Sequence, residues 1–90
     1  MQDIITKEDL KQREYMIIDV RTDDEVKADP IPDDNVIHME LSTLPQKHGE
    51  LPGDKLLAFV CAGNVRSVQA ADYLAAHGYQ NTIVLDKFSI

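Results

Sequence analysis

Two short and almost unbroken apolar runs, YMIIDV from Tyr15 to Val20 and LLAFV from Leu56 to Val60, constrain the fold more than anything else in the chain. A strand with one wet face alternates apolar and polar residues. These runs do not, so they read as strands covered on both faces, the condition of strands in a parallel sheet flanked by helices. Their surroundings carry matching punctuation. Asp3 to Ile5 suits a short strand, Thr6 with Asp9 has the form of a capping box opening a short helix to about Arg13, and Thr22 can cap a helical turn over Asp23 to Ala28. DPIPDDN, from Asp29 to Asn35, breaks any helix and predicts a loop. Val36 to Met39 suits a short strand, Ser42 can cap a further turn, and Gly49 to Asp54 (GELPGD) is a turn-rich connection. From Ser67 to His77, Val68, Ala71, Leu74 and Ala75 fall at helical spacing before Gly78, and TIVL from Thr82 to Leu85 gives a last strand. The pattern predicts an α/β domain spanning residues 1–90, a small, mainly parallel sheet of four to five strands flanked by short helices.

With 90 residues there is material for one core and one site. Hydrophobic residues at 43% and charged residues at 28% give the balance of a chain that folds. Nine Lys and Arg against sixteen Asp and Glu leave a net charge of -7, which repels phosphate backbones and anionic lipid and argues against nucleic acid and membrane as partners. MQDIITKED at the start lacks the order of a secretory signal, and no apolar run is long enough to span a bilayer, so a cytoplasmic setting is expected. A single cysteine excludes an internal disulfide, a CxxC pair and a cysteine-based zinc cluster. His38, His48 and His77 have no ligand-like spacing and are expected to be solvated or locally hydrogen-bonded, with no metal site.

In sheets of this kind ligands bind beyond the carboxyl ends of the strands, which directs attention to CAGNVRS, Cys61 to Ser67. This segment joins a buried strand to a helix, where backbone N–H groups and the helix dipole favour negative charge. Gly63 can adopt a positive φ freely and Asn64 tolerates one better than most residues, so the loop can curl with its amides inward. A cysteine ending an apolar strand is, on its own, more often inert filler than a nucleophile. The Gly, Asn and Arg that follow reverse that judgement. Loop amides and the Arg66 charge both favour a Cys61 thiolate over the thiol.

Over nearly its whole length the sequence resembles the single-domain rhodaneses, or thiosulfate:thiol sulfurtransferases. IIDVRTDDEV (Ile17 to Val26) is similar to the family's "DVR…E" segment, and FVCAGNVRSVQAADYLAAHGY (Phe59 to Tyr79) is similar to its active-site strand, loop and helix. The resemblance implies a rhodanese-like fold and a cysteine that takes a sulfane sulfur from a donor such as thiosulfate and passes it to cyanide or a thiol. Cys61 would be the nucleophile and Arg66 would bind the donor's sulfonate or steady the persulfide. The amides of Ala62, Gly63, Asn64, Val65 and Ser67 would hold the sulfur anion. Asp19, Arg21 and Glu25 match a strand-end group read as a structural ion pair, with Arg21 bonded to Glu25. No metal or organic cofactor is implied; the partners are a small anionic sulfur donor and an external thiol, which an acceptor protein could supply.

Where the family usually has Gly-His-Ile-Pro-Gly-Ala, this chain has ADPIPDDNV, whose extra acids would weaken binding of a dianionic donor if they faced the site. Asp86 and Lys87 replace the family's glycine pair after the last strand, and no closing helix follows, which predicts either an uncovered sheet face for a partner or second copy to bury or a minimal or shortened form of the domain. Cysteine phosphatases and arsenate reductases use a related Cys-x5-Arg loop, but here the spacing is Cys-x4-Arg, and the tighter ring of amides suits a sulfur atom better than a phosphate. A third reading is a binding or sulfur-relay module acting on a partner protein.

Overall fold

Side chains along a strand point alternately to opposite faces, so an apolar run supplies two cores at once. In the computed structural model, which describes residues 2–90, the strands are β1 (Ile4–Ile5), β2 (Tyr15–Asp19), β3 (Val36–His38), β4 (Leu56–Val60) and β5 (Thr82–Leu85). They form one sheet in the order β1-β5-β4-β2-β3, every pairing parallel. The helices are α1 (Lys7–Leu10), α2 (Asp23–Ala28), α3 (Leu44–Lys47) and α4 (Val65–Ala76), with 3-10 turns at Leu41–Thr43, His48–Glu50 and Lys87–Ser89. Ile18, Leu57, Phe59 and Val84 pack beneath Ala70, Ala71 and Leu74 of α4, while Ile17, Ala58, Val60 and Leu85 face the other way.

That second face is covered, contrary to the expectation of an open one. Ile17, Ala58, Val60 and Leu85 are each 0% exposed, because Leu10 from α1, Ile31 from the loop after α2, and Ile90 close over them. The cover comes from three segments far apart in the sequence. Among the described residues no helix is long and apolar enough to cross a membrane.

Several boundaries differ from the sequence expectation for local reasons. α1 stops at Leu10 instead of Arg13, since the Lys11 and Arg13 amides bond back three residues, to Glu8 and Leu10, and wind the chain into a turn that delivers Tyr15 to β2. Ser42 caps nothing: it lies inside a 3-10 turn and its hydroxyl donates to Glu40 at 2.9 Å. α4 begins two residues earlier than the apolar spacing suggested, at Val65, because Asn64 is its N-cap. At its other end Gly78 takes φ +92, the left-handed conformation that terminates helices at little cost for glycine.

Because all five strands run the same way, their carboxyl ends share one edge. Asp19 pairs with both Val60 and His38 there, so Cys61 stands one residue beyond the middle of the sheet.

Candidate active site

Cys61 is 1% exposed and packs in the α4-side core, with its sulfur turned toward the first turn of α4. The Ser67 amide donates to Sγ at 3.3 Å, and the Ser67 hydroxyl lies 3.3 Å from the same atom. Burial pushes the thiol's pKa up; the Ser67 hydroxyl, then the amides of Ser67, Gly63 and Arg66, more than offset this and hold it below the ordinary thiol value. The groups acting on the sulfur are thus the amides of Gly63, Arg66 and Ser67, joined by a hydroxyl that the sequence reading overlooked. Ala62 and Asn64 stand in the same loop, and Val65 opens α4. The missed signal was the serine six residues after the cysteine, a spacing that only a curled loop folds back onto the sulfur.

The curl itself is placed differently than the glycine suggested. Asn64, not Gly63, adopts the left-handed conformation, at φ 66. Its side chain then bridges to the strand-end turn, donating to Asp86 at 3.0 Å and accepting from the Lys87 amide at 3.2 Å. Asp86 and Lys87, the two residues that depart from the family's glycine pair, therefore clamp the cysteine loop. Lys87 also pairs with Asp29 at 2.9 Å.

The ion pairs are redistributed. Arg21 does not bond Glu25 as expected; it grips Asp19 through Nε (2.9 Å) and Nη2 (2.8 Å) and reaches the Asp29 carbonyl at 2.7 Å. Asp19 and Arg21 are 1% and 2% exposed, so this is a buried pair at the strand end. Glu25 instead receives a two-pronged bond from Arg66, at 2.6 and 2.8 Å. The reason lies in α2: Glu25, its third residue, closes a capping box with Thr22, which fixes it on the helix end facing α4. Bonding from Arg66, then from the Thr22 amide, lowers the Glu25 pKa to about 2. Bonding to Glu25 raises Arg66's own pKa, with a smaller contribution from the Cys61 charge.

The acids of the loop after α2 divide: Asp29 stands by the clamp of the cysteine loop, paired with Lys87, and Asp33 lies away from it. Asp33 binds the Tyr15 hydroxyl at 2.6 Å and Lys7 at 2.8 Å, and Tyr15 begins β2, at the opposite edge of the sheet. Each histidine is locally bonded: His38 to the Arg21 carbonyl, His48 to Tyr79, His77 to the Tyr73 carbonyl. His48 and His77 nevertheless meet, with ring centroids 5.7 Å apart, a proximity invisible in their spacing. Among the described residues no group of three or more His, Cys, Asp or Glu is placed to hold a metal ion.

A parallel α/β sheet with a cysteine in an amide-rimmed loop at its carboxyl edge fits the rhodanese class, and the comparisons identify it. Residues 5–88 match the Rhodanese-like domain family, and the chain belongs to it. It is 30% identical over 86 residues to a sulfurtransferase of Allochromatium vinosum, covering 90% of this chain and 78% of that protein. It is 34% identical over 71 residues to YtwF of Bacillus subtilis, which carries a sulfurtransferase name, covering 79% of this chain and 67% of that one. A rhodanese-related protein from Thermoplasma volcanium superposes with a TM-score of 0.80 at 30% identity, over 93% of this chain and 83% of that one. An NAD-dependent persulfide reductase from A. fulgidus contains a similar unit, with a TM-score of 0.79 at 27% identity over 94% of this chain, which spans 15% of that protein's length. The family and its sulfurtransferase relatives support a sulfurtransferase here.

Proposed function

We propose that the protein moves a sulfane sulfur from thiosulfate or a persulfide donor to a thiol or cyanide through a persulfide on Cys61, in a reducing, cytoplasmic setting that keeps its lone cysteine reduced. The observation that carries this reading is the sulfur of Cys61 facing the Ser67 amide and hydroxyl at 3.3 Å, with the thiol's pKa held down by that loop.

The Cys61 thiolate attacks the outer sulfur of thiosulfate, the sulfur–sulfur bond of the donor breaks, and sulfite leaves with the bonding pair. The negative charge now sits on the outer sulfur of the persulfide, one bond further from Cys61. Loop amides between Ala62 and Ser67 that need not move to receive it stabilise that charge. In the second half an acceptor thiol gives up its proton and attacks the outer sulfur, Cys61 leaves as thiolate, and the proton ends on the transferred sulfur. Cyanide as acceptor leaves as thiocyanate. No electron enters or leaves the protein, so the cycle needs no cofactor.

Arg66 serves as the positive member of the site, its charge partly spent on Glu25. Asp19 and Arg21 hold the end of β2 in place and take no part in the chemistry.

Intact mass after incubation with thiosulfate, then cyanide, tests the reading, with Cys61→Ser in parallel. A gain of one sulfur atom that cyanide removes, absent in the variant, is the expected result. A folded protein that gains no sulfur from thiosulfate or any persulfide donor is not a sulfurtransferase.

A further inference from the structure

Large hydrophobic side chains scattered singly over a surface are ordinary, but a cluster beside a reactive group is not. Among the described residues those strongly exposed are Ile4 (54%), Val65 (66%) and Phe88 (78%), and all belong to one corner. Ile4 pairs with Val84 near the end of β5, Phe88 lies in the 3-10 turn that Asp86 caps after β5, and Val65 adjoins Asn64, whose side chain is bonded to Asp86 and the Lys87 amide. This corner is at the carboxyl edge of the sheet, on the β1–β5 side of Cys61.

The opposite side of the cysteine loop is acidic. α2, which follows β2, opens with Asp23, Asp24 and Glu25, and Glu25 touches Arg66. The cations around the loop are already matched: Arg66 by Glu25, Lys87 by Asp29, Arg21 by Asp19. With the whole chain at -7 and these cations matched, the rim favours a partner that brings positive charge of its own.

We propose that the preferred acceptor is a cysteine carried on a polypeptide, with apolar side chains lying on the Ile4–Val65–Phe88 shoulder and basic ones against α2. This rests on the sulfurtransferase reading and names the substrate class of the same site. The acceptor thiol passes its proton to the outer sulfur of the Cys61 persulfide and attacks that sulfur; the sulfur–sulfur bond to Cys61 breaks, Cys61 leaves as thiolate, and the acceptor becomes the persulfide. The apolar shoulder supplies affinity by leaving water, and the acidic side sets orientation and encounter rate.

The test uses the whole chain, loaded with sulfur and checked by mass, and two synthetic cysteine peptides of equal length. One has Leu and Phe on one side of the cysteine and two Lys on the other, prepared in both orders; its control has Gly and Ser with two Asp. The apolar-basic peptide should show a kcat/KM higher by about tenfold, the scale of one well-buried apolar side chain. That advantage should shrink as salt is raised. Phe88→Ser, a change at an exposed side chain, should remove most of the preference and leave turnover with cyanide unchanged. Ile4→Thr gives a second reading of the same surface. Equal service of both peptides, or a preference that at high salt survives both substitutions, overturns the docking surface while cyanide turnover still stands for the sulfurtransferase. Failure of Cys61 to load at all overturns both, and the mass spectrum shows that before any peptide is added.

Discussion

At Cys61 two opposing effects meet: burial raises the thiol's pKa and the Ser67 hydroxyl leads the groups that bring it down. Removing that hydroxyl in Ser67→Ala loses a hydrogen bond to a charged acceptor worth about 1.5 kcal/mol, which cuts the thiolate fraction below the pKa about tenfold. A thiolate of higher pKa is more nucleophilic, with a Brønsted slope of about 0.4–0.5, so roughly half of that loss on a logarithmic scale returns. The variant should therefore load sulfur about threefold more slowly at low pH and faster than the parent at high pH. Stopped-flow loading rates across pH, displaying a crossing of the two profiles, check this; parallel profiles would mean that Ser67 acts only on structure. The cysteine was legible in the sequence because Gly63, Asn64 and Arg66 announce an anion loop. The hydroxyl was not, since its role depends on where the helix starts, and Asn64 moved that start by taking the left-handed position.

Between elements, the choice of partner for Glu25 shows what local sequence does not determine. Arg21 is four residues away and Arg66 is forty-one, yet the distant one wins because Arg21 is buried against Asp19 while the Thr22 capping box aims Glu25 at α4. The strands and helices themselves were readable from apolar runs and caps; this long-range pairing required the parallel order that sets α2 beside the cysteine loop. The bond ties the two elements that flank the loop, and it titrates. Glu25 has a folded-state pKa of about 2 against an ordinary 4.5. A carboxyl depressed on folding contributes stability that is full above its unfolded pKa and is lost as pH falls through the folded one. Glu25→Gln should therefore lower the melting temperature at neutral pH, with the gap to the parent narrowing from about pH 4.5 and closing near pH 2. Melting curves at several pH values between 2 and 7 measure that gap; one that stays constant with pH would show that Glu25 carries no linked proton.

At the scale of the molecule, coverage of the second sheet face is where the sequence misled. Without a closing helix after Thr82 to Leu85 that face was expected to be open, yet Leu10, Ile31 and Ile90 cover it. Each comes from a segment too short to carry a periodic apolar signal, so nothing in a local pattern marks it as a lid. α1 has four residues, far below the length at which a helix is stable alone in water, so packing of Leu10 holds it in place and not the reverse. Leu10 is 0% exposed, and Leu10→Ala should cost about 2–5 kcal/mol through lost burial and the cavity left behind. A chain of this size has a total of about 5–13 kcal/mol to lose. Each kcal/mol shifts the midpoint of a small domain by about 4–8 °C, so the melting temperature should fall by roughly 8–40 °C. Cys61 faces the α4-side core and touches none of these residues, so sulfur loading per folded molecule, measured well below the variant's midpoint, should match the parent's. A melting temperature within a few degrees of the parent would mean that the remaining lid residues close over the gap unaided. A large drop with loading intact would show that the two faces divide the work, one holding the sheet together and the other holding the sulfur.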